Sequence, residues 1–158
     1  FTNGGEKTPS LSLRHGRTEV IDTYLDHDRI AGGEAEEMID TAYAAWRADR
    51  SRGLVSVLIA ESRGDVIELN QRARADLILD GVLTPGREVD LHDGTTAGIG
   101  DTIITRRNGR RLRNGPDWVR NGERWTITSV RDDGSITIRT PGRRFGGSIV
   151  LPAAYVDE

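Results

Sequence analysis

The 158-residue chain contains no cysteine, which excludes disulfides, thiolate nucleophiles and cysteine-ligated metals. Its three histidines, His15, His27 and His92, are scattered without ligand spacing, so a structural zinc is not expected. Long apolar runs are missing as well. Nothing approaches the ~20 residues of a membrane span, and no basic-then-apolar leader precedes a small-residue cleavage site. A soluble, cytoplasmic protein without membrane contact is the expectation. Aromatic residues are few: three tryptophans, three tyrosines and two phenylalanines. With 35% hydrophobic against 30% charged residues, the core should be modest and the surface heavily solvated.

Catalytic signatures are also missing. There is no Gly-rich phosphate loop ending in Gly-Lys-Thr/Ser, no Ser/His/Asp arrangement and no HExxH. Asp26-His27-Asp28, and His92 between Asp90 and Asp93, each set two carboxylates beside a histidine, which solvated turns and helix ends explain. No catalytic residue and no metal ligand is assigned.

What is present is charge polarity. The net charge of −3 hides 11 cations against 18 acids in residues 1–100, and 11 against 7 in residues 101–158. All eleven of the latter cations are arginines. A basic segment suggests an anionic partner. Arginine in particular grips phosphate bidentately and stacks on bases.

The hydrophobic period divides the chain. The stretch "SLSLRHG" reads as one short turn or helix ending at Gly16, and Thr18 is placed to cap "TEVIDTYLDHD", with Val20, Ile21, Tyr24 and Leu25 on one stripe. A longer helix follows over "EAEEMIDTAYAAWRADRSRG", acidic at its start and basic at its end, with Met38, Ile39, Ala42 and Trp46 on its apolar face and Tyr43 flanking. Leu54 to Ala60, "LVSVLIA", then reads as a strand covered on both faces. "ESRGDVIELNQRARADLILDG" reads as the helix after it, stopped at Gly81, and the two make one βα unit. In such units the loop after the strand, here Glu61 to Gly64, is where ligands sit.

From about residue 82 the rhythm becomes short β-rich runs separated by "TPG", "HDG", "RNG" and "DDG" turns, the pattern of a small β-barrel. Asp132 and Asp133 read as turn formers before Gly134. Within this region "WVRNGERW" sets Trp118 and Trp125 symmetrically about Asn121-Gly122. A two-residue Asn-Gly hairpin would pair Arg120 with Glu123, Val119 with Arg124 and Trp118 with Trp125, both indoles on one face. Seven arginines fall between Arg106 and Arg124 and are interleaved with amides and indoles. Arg106, Arg107, Asn108, Arg110, Arg111, Arg113, Trp118, Arg120, Asn121, Arg124 and Trp125 are therefore the candidate contacts for a single-stranded nucleic acid. A protein-interaction module, or a purely structural barrel without nucleic-acid contact, remains open at this point.

The order of "LSLRHGRTEVIDTYLDHDRI", "AAWRAD", "VLIAESRGDVIELNQRAR", "GIGDTIITRRNGRRLR", "WVRNGERWTITSV" and "GGSIVLPAAYV" resembles the helicase portion of conjugative relaxase/helicases of the TraA/TrwC/TraI type, which belong with RecD-like superfamily 1 DNA helicases. The resemblance implies an α/β (α+β) fragment in two parts. Residues 1–83 would hold N-terminal helices and one βα unit opening the second RecA-like motor domain, and residues 84–158 an inserted SH3-like barrel. It also implies a longer parent chain, which would supply the missing ATP- and Mg-binding motifs; this fragment itself would carry no cofactor. Ser62, Arg63 and Asn70 match the position of the family's fourth helicase motif, a contact for DNA or nucleotide. Gly100, Asp101, Asn121 and Gly122 match turns of the barrel. Gly5 before Glu6 departs from the tryptophan usual in the family at that point.

Overall fold

The computed structural model describes residues 7–114, 117–142 and 147–157. Gly5, Glu6 and Gly115, on which parts of the sequence reading fall, lie outside them. The chain divides into two compact units, Phe1–Leu58 and Ile59–Glu158. Among the described residues no helix is long and apolar enough to cross a membrane.

The first unit is helical: α1 (Lys7–Arg14), α2 (Val20–Asp26) and α3 (Ala35–Ser51). Gly16, at φ 72°, follows α1 in the left-handed conformation that only glycine adopts without strain. Thr18 does not cap α2. Glu19 is the N-cap, without a side-chain hydrogen bond, and Thr18 contributes only its carbonyl, which accepts from Ile21 N at 2.9 Å. On α3 the buried residue is Tyr43, with Met38, Ile39 and Trp46 half-buried and Ala42 exposed. The apolar face is therefore turned toward Tyr43. Its ring meets Trp46 at 5.6 Å, and Arg50 covers the far indole at 5.1 Å.

Leu54 to Ala60 forms no strand, contrary to the reading of its β-branched run. Val55 is 91% and Ile59 87% exposed. A strand exists only through its ladder partners, and no stretch among the described residues pairs with this one.

The second unit begins with α4 (Arg63–Leu79), then β1 (Glu88–Asp90), β2 (Thr96–Gly98), β3 (Thr102–Ile104), β4 (Gly109–Asn114), β5 (Asp117–Val119), β6 (Arg124–Val130), β7 (Ile136–Arg139), β8 (Ile149–Leu151) and α5 (Ala153–Val156). The architecture is mixed helix and sheet. Ser62 caps α4, its Oγ accepting from Asp65 N at 3.0 Å, so Arg63 and Gly64 lie in the first turn of the helix rather than in a loop.

The strands form a four-stranded antiparallel sheet of order β3-β6-β7-β8 and two two-stranded ribbons, β1-β2 and β4-β5. No closed barrel forms among the described residues. Alternation along β6, β7 and β8 sends Trp125, Ile127, Ile136, Ile138, Ile149 and Leu151 inward, where Val119, Ala97 and Val156 complete the core.

The expected Trp118–Trp125 hairpin is not formed. β5 pairs with β4, setting Trp118 opposite Arg113, while β6 pairs with β3, setting Trp125 opposite Ile103. The hairpin turn needs left-handed backbone at both central residues. Gly122 has φ 83°, but Asn121 is not left-handed. Thr105, buried, takes over the junction. Its N–H donates to Glu123 O at 3.0 Å, its carbonyl accepts from Gly122 N at 2.6 Å, and its Oγ1 donates to Arg120 O at 2.6 Å. β5 and β6 therefore separate into different sheets on either side of Thr105.

Two Asp-Gly turns share one design. Asp93 Oδ1 accepts from Thr95 N (3.0 Å) and Oγ1 (2.6 Å), and Asp133 Oδ1 accepts from Ser135 N (2.9 Å) and Oγ (2.6 Å). Gly94 and Gly134 supply the left-handed residue in each. These bonds hold the Asp133 carboxyl below its ordinary value. At Asp93, burial pulls the carboxyl upward, but the Thr95 bonds, with Arg106 and Arg63 nearby, outweigh it and leave the group lowered.

Candidate nucleic-acid interface

The arginine-rich segment folds as the β4-β5 ribbon. Its strands cling to the core through Val119, fully buried, and Leu112, half-buried, and they leave Arg110, Arg111 and Arg113 exposed. A register shift between Gly109 and Arg113 interrupts the ladder. Gly109 packs close to Leu112 and Tyr155, where a Cβ would meet Leu112 Cδ1 at 2.8 Å.

Trp118 is the aromatic centre of this ribbon. Its half-buried indole lies between two guanidiniums, Arg120 at 4.9 Å and Arg110 at 5.8 Å from the ring centroid. Glu123 steers Arg120, with Oε1 3.0 Å from its Nη1 and Oε2 accepting its backbone N–H at 2.9 Å. Arg113 Nε donates to Arg110 O at 2.9 Å. Asn121 N donates to Asn108 Oδ1 at 3.0 Å, which ties the turn after β5 to the turn before β4. The ribbon thus gathers Asn108, Arg110, Arg113, Trp118, Arg120 and Asn121, with Arg111 exposed on the same strand pair.

The other candidates lie elsewhere. Trp125 is 7% exposed and packed in the core, so its indole offers no stacking surface in this fold. Arg124 is exposed but sits on β6, opposite Ile104, outside the ribbon. Arg107 stacks 4.8 Å from the centroid of the Tyr155 ring, and its carbonyl accepts the Tyr155 hydroxyl. Burial raises the Tyr155 hydroxyl above its ordinary value, so it stays a neutral donor.

Arg106 and Arg107 border a groove of about 1090 Å³ that also takes in Ser62, Arg63 and Asn70 from α4. Of the eleven candidate contacts only these two arginines reach the groove; the ribbon's own Arg110, Trp118 and Arg120 do not line it. Ser62 is occupied as the helix cap, Arg63 reaches His92 O at 3.4 Å, and Asn70 is exposed. Among the described residues no cluster of metal-ligating side chains occurs.

Sequence reasoning missed three participants, Tyr155, Thr105 and the ion-pair cluster around Arg74, whereas Glu123 was expected opposite Arg120 and does engage it. Arg74 Nε bonds Asp101 Oδ2 at 2.8 Å and its Nη1 lies 2.9 Å from Glu88 Oε1, while Asp101 Oδ2 also accepts from Gly98 N at 2.7 Å. Burial works against the Arg74 charge, and its bonds to Asp101 and Glu88 outweigh that. No sequence signal pointed to this cluster. Its partners are 13 to 27 residues apart, beyond any local pattern.

No family model matches the chain, and no solved structure matches it. It is similar to the probable conjugal transfer protein TraA of Sinorhizobium fredii. The two are 32% identical over 124 residues, covering 77% of this chain and 11% of that protein. A DNA ligase of Corynebacterium aurimucosum is 33% identical over 130 residues, covering 72% of this chain and 19% of that protein. The chain thus spans less than a fifth of the length of either relative.

Proposed function

We propose that this chain is a segment of a longer DNA-processing protein of conjugative transfer, and that its β4-β5 ribbon holds single-stranded DNA. The observation that carries this reading is Trp118, a half-buried indole flanked by Arg110 and Arg120 on an exposed arginine-bearing ribbon. An unpaired base stacks on such a ring whatever its identity, and the guanidiniums meet the flanking phosphates, which gives sequence-tolerant binding. The similarity to a probable conjugal transfer protein and to a DNA ligase supports a DNA partner.

On this reading the parent is a RecD-like helicase/relaxase, and the β-rich part of the second unit is its SH3-like module. ATP and Mg would act in the parent's RecA-like domains, outside this segment. Ser62, Arg63 and Asn70 would face the moving strand or the nucleotide there. The fragment itself binds without turning over ATP.

A labelled oligothymidylate titrated at increasing salt tests the binding. With about four arginine–phosphate contacts the log–log slope of affinity against salt is expected near −3. Absent or salt-insensitive binding would leave the alternative, a structural or protein-binding module, to which Glu123 lends support by already engaging Arg120.

A further inference from the structure

The two guanidiniums beside Trp118 keep different company. Arg110 stands 5.8 Å from the ring centroid, and among the described residues no carboxylate pairs with it. Arg120, closer at 4.9 Å, carries Glu123. That carboxylate spans two donors of one residue: Oε1 lies 3.0 Å from Arg120 Nη1, and Oε2 accepts the Arg120 backbone N–H at 2.9 Å. Between Arg106 and Arg124 the sequence sets seven arginines against two acids, Asp117 and Glu123.

The turn from Arg120 to Glu123 does not depend on this carboxylate. Thr105 already holds it through three bonds, to Arg120 O, Gly122 N and Glu123 O, and Asn121 N is fastened to Asn108 Oδ1. The side chains of Arg120 and Glu123 are 47% and 31% exposed, a setting in which an ion pair adds little stability. What the contact does is seat an anion, by two oxygens, on one guanidinium N–H and one backbone N–H beside an aromatic face. A phosphodiester carries the same charge, and its two non-bridging oxygens likewise share one central atom. Arginine side chains and backbone N–H groups are the donors that phosphates take in nucleic-acid complexes.

We propose, building on the DNA reading of the ribbon, that the side-chain and backbone N–H groups of Arg120 form a phosphodiester site, and that Glu123 fills this site in the free chain. The strand's phosphate displaces the carboxylate as a base stacks on Trp118. Glu123 is then a resident competitor. It lowers affinity without reducing the number of phosphate contacts, and it hastens release by returning to the vacated donors.

The test titrates fluorescent oligothymidylate into the full chain and its variants. Glu123→Gln removes the charge but keeps the length of the side chain and an acceptor for the Arg120 N–H. It should bind about threefold tighter or more, with the salt slope of the wild type, since the same phosphates are touched. In an Arg120→Gln background the same substitution should change affinity less than about twofold, whereas in an Arg110→Gln background the threefold gain should persist. A general relief of negative charge would act alike in both backgrounds. The proposal is overturned if Glu123→Gln binds no tighter than the wild type, if it binds more weakly, which would make Glu123 a positioning residue for Arg120, or if the gain is equal in the two backgrounds. Any of these results beside salt-dependent binding by the wild type leaves the ribbon reading standing. No binding by either the wild type or Glu123→Gln removes both.

Discussion

Trp118 and Trp125 lie seven residues apart in one short stretch, yet they belong to different sheets and have opposite fates. Trp125 on β6 points into the core of the four-stranded sheet, whereas Trp118 on the β4-β5 ribbon lies half-open between Arg110 and Arg120. Side-chain chemistry does not separate them. Strand partnership does, because Thr105 inserts its hydrogen bonds at the junction and sends β5 and β6 apart. An indole beside arginines becomes a candidate binding surface only when its strand lacks a second layer to cover it.

The comparison breaks most visibly by stability. Trp125→Ala is expected to cost about 3–5 kcal/mol, since it removes a large core side chain, and urea unfolding should register this as a large fall in the midpoint. Trp118→Ala should lower stability by only about 1–2 kcal/mol, in keeping with partial burial, while weakening oligothymidylate binding by about 1–3 kcal/mol. Equal stability losses for the two substitutions would remove the distinction. Arg110→Gln and Arg120→Gln sharpen it on the ribbon side: each should reduce the steepness of the salt dependence by about 0.7 and leave the unfolding midpoint nearly unchanged.

The smallest effect concerns the acid side of the turns and should not distinguish the tryptophans at all. The Asp93 carboxyl is lowered when folded, so its stabilising contribution is present above its ordinary value and is lost as pH falls through the depressed folded one. Stability should therefore decline below about pH 4, and Asp93→Asn should flatten part of that decline in acid titrations followed by circular dichroism.

The helices were legible because their signals are local. Caps, glycine stops and 3.6-residue stripes lie within a turn or two of the residues they govern, and α3 and α4 follow them closely. The strands of the four-stranded sheet were legible through alternation, as in "RWTITSV" and "SITIR". β4 escaped because "GRRLRN" has one apolar residue and reads as loop, and β2 because "TAG" is three small residues. The run at Leu54–Ala60 has every intrinsic mark of a buried strand, yet strand formation depends on partners that local composition cannot supply. The same limit governed the site. Arginines and tryptophans were visible as a cluster, but which indole stays open is decided by Thr105, Glu123 and the core, through contacts that composition does not encode.

The indole Nε1–H resonances of Trp46, Trp118 and Trp125, followed while oligothymidylate is added to the isotope-labelled chain, test the central claim most directly. The account predicts that the Trp118 signal shifts with saturation while that of Trp125 stays in place. Saturable DNA binding that leaves Trp118 unmoved would contradict it.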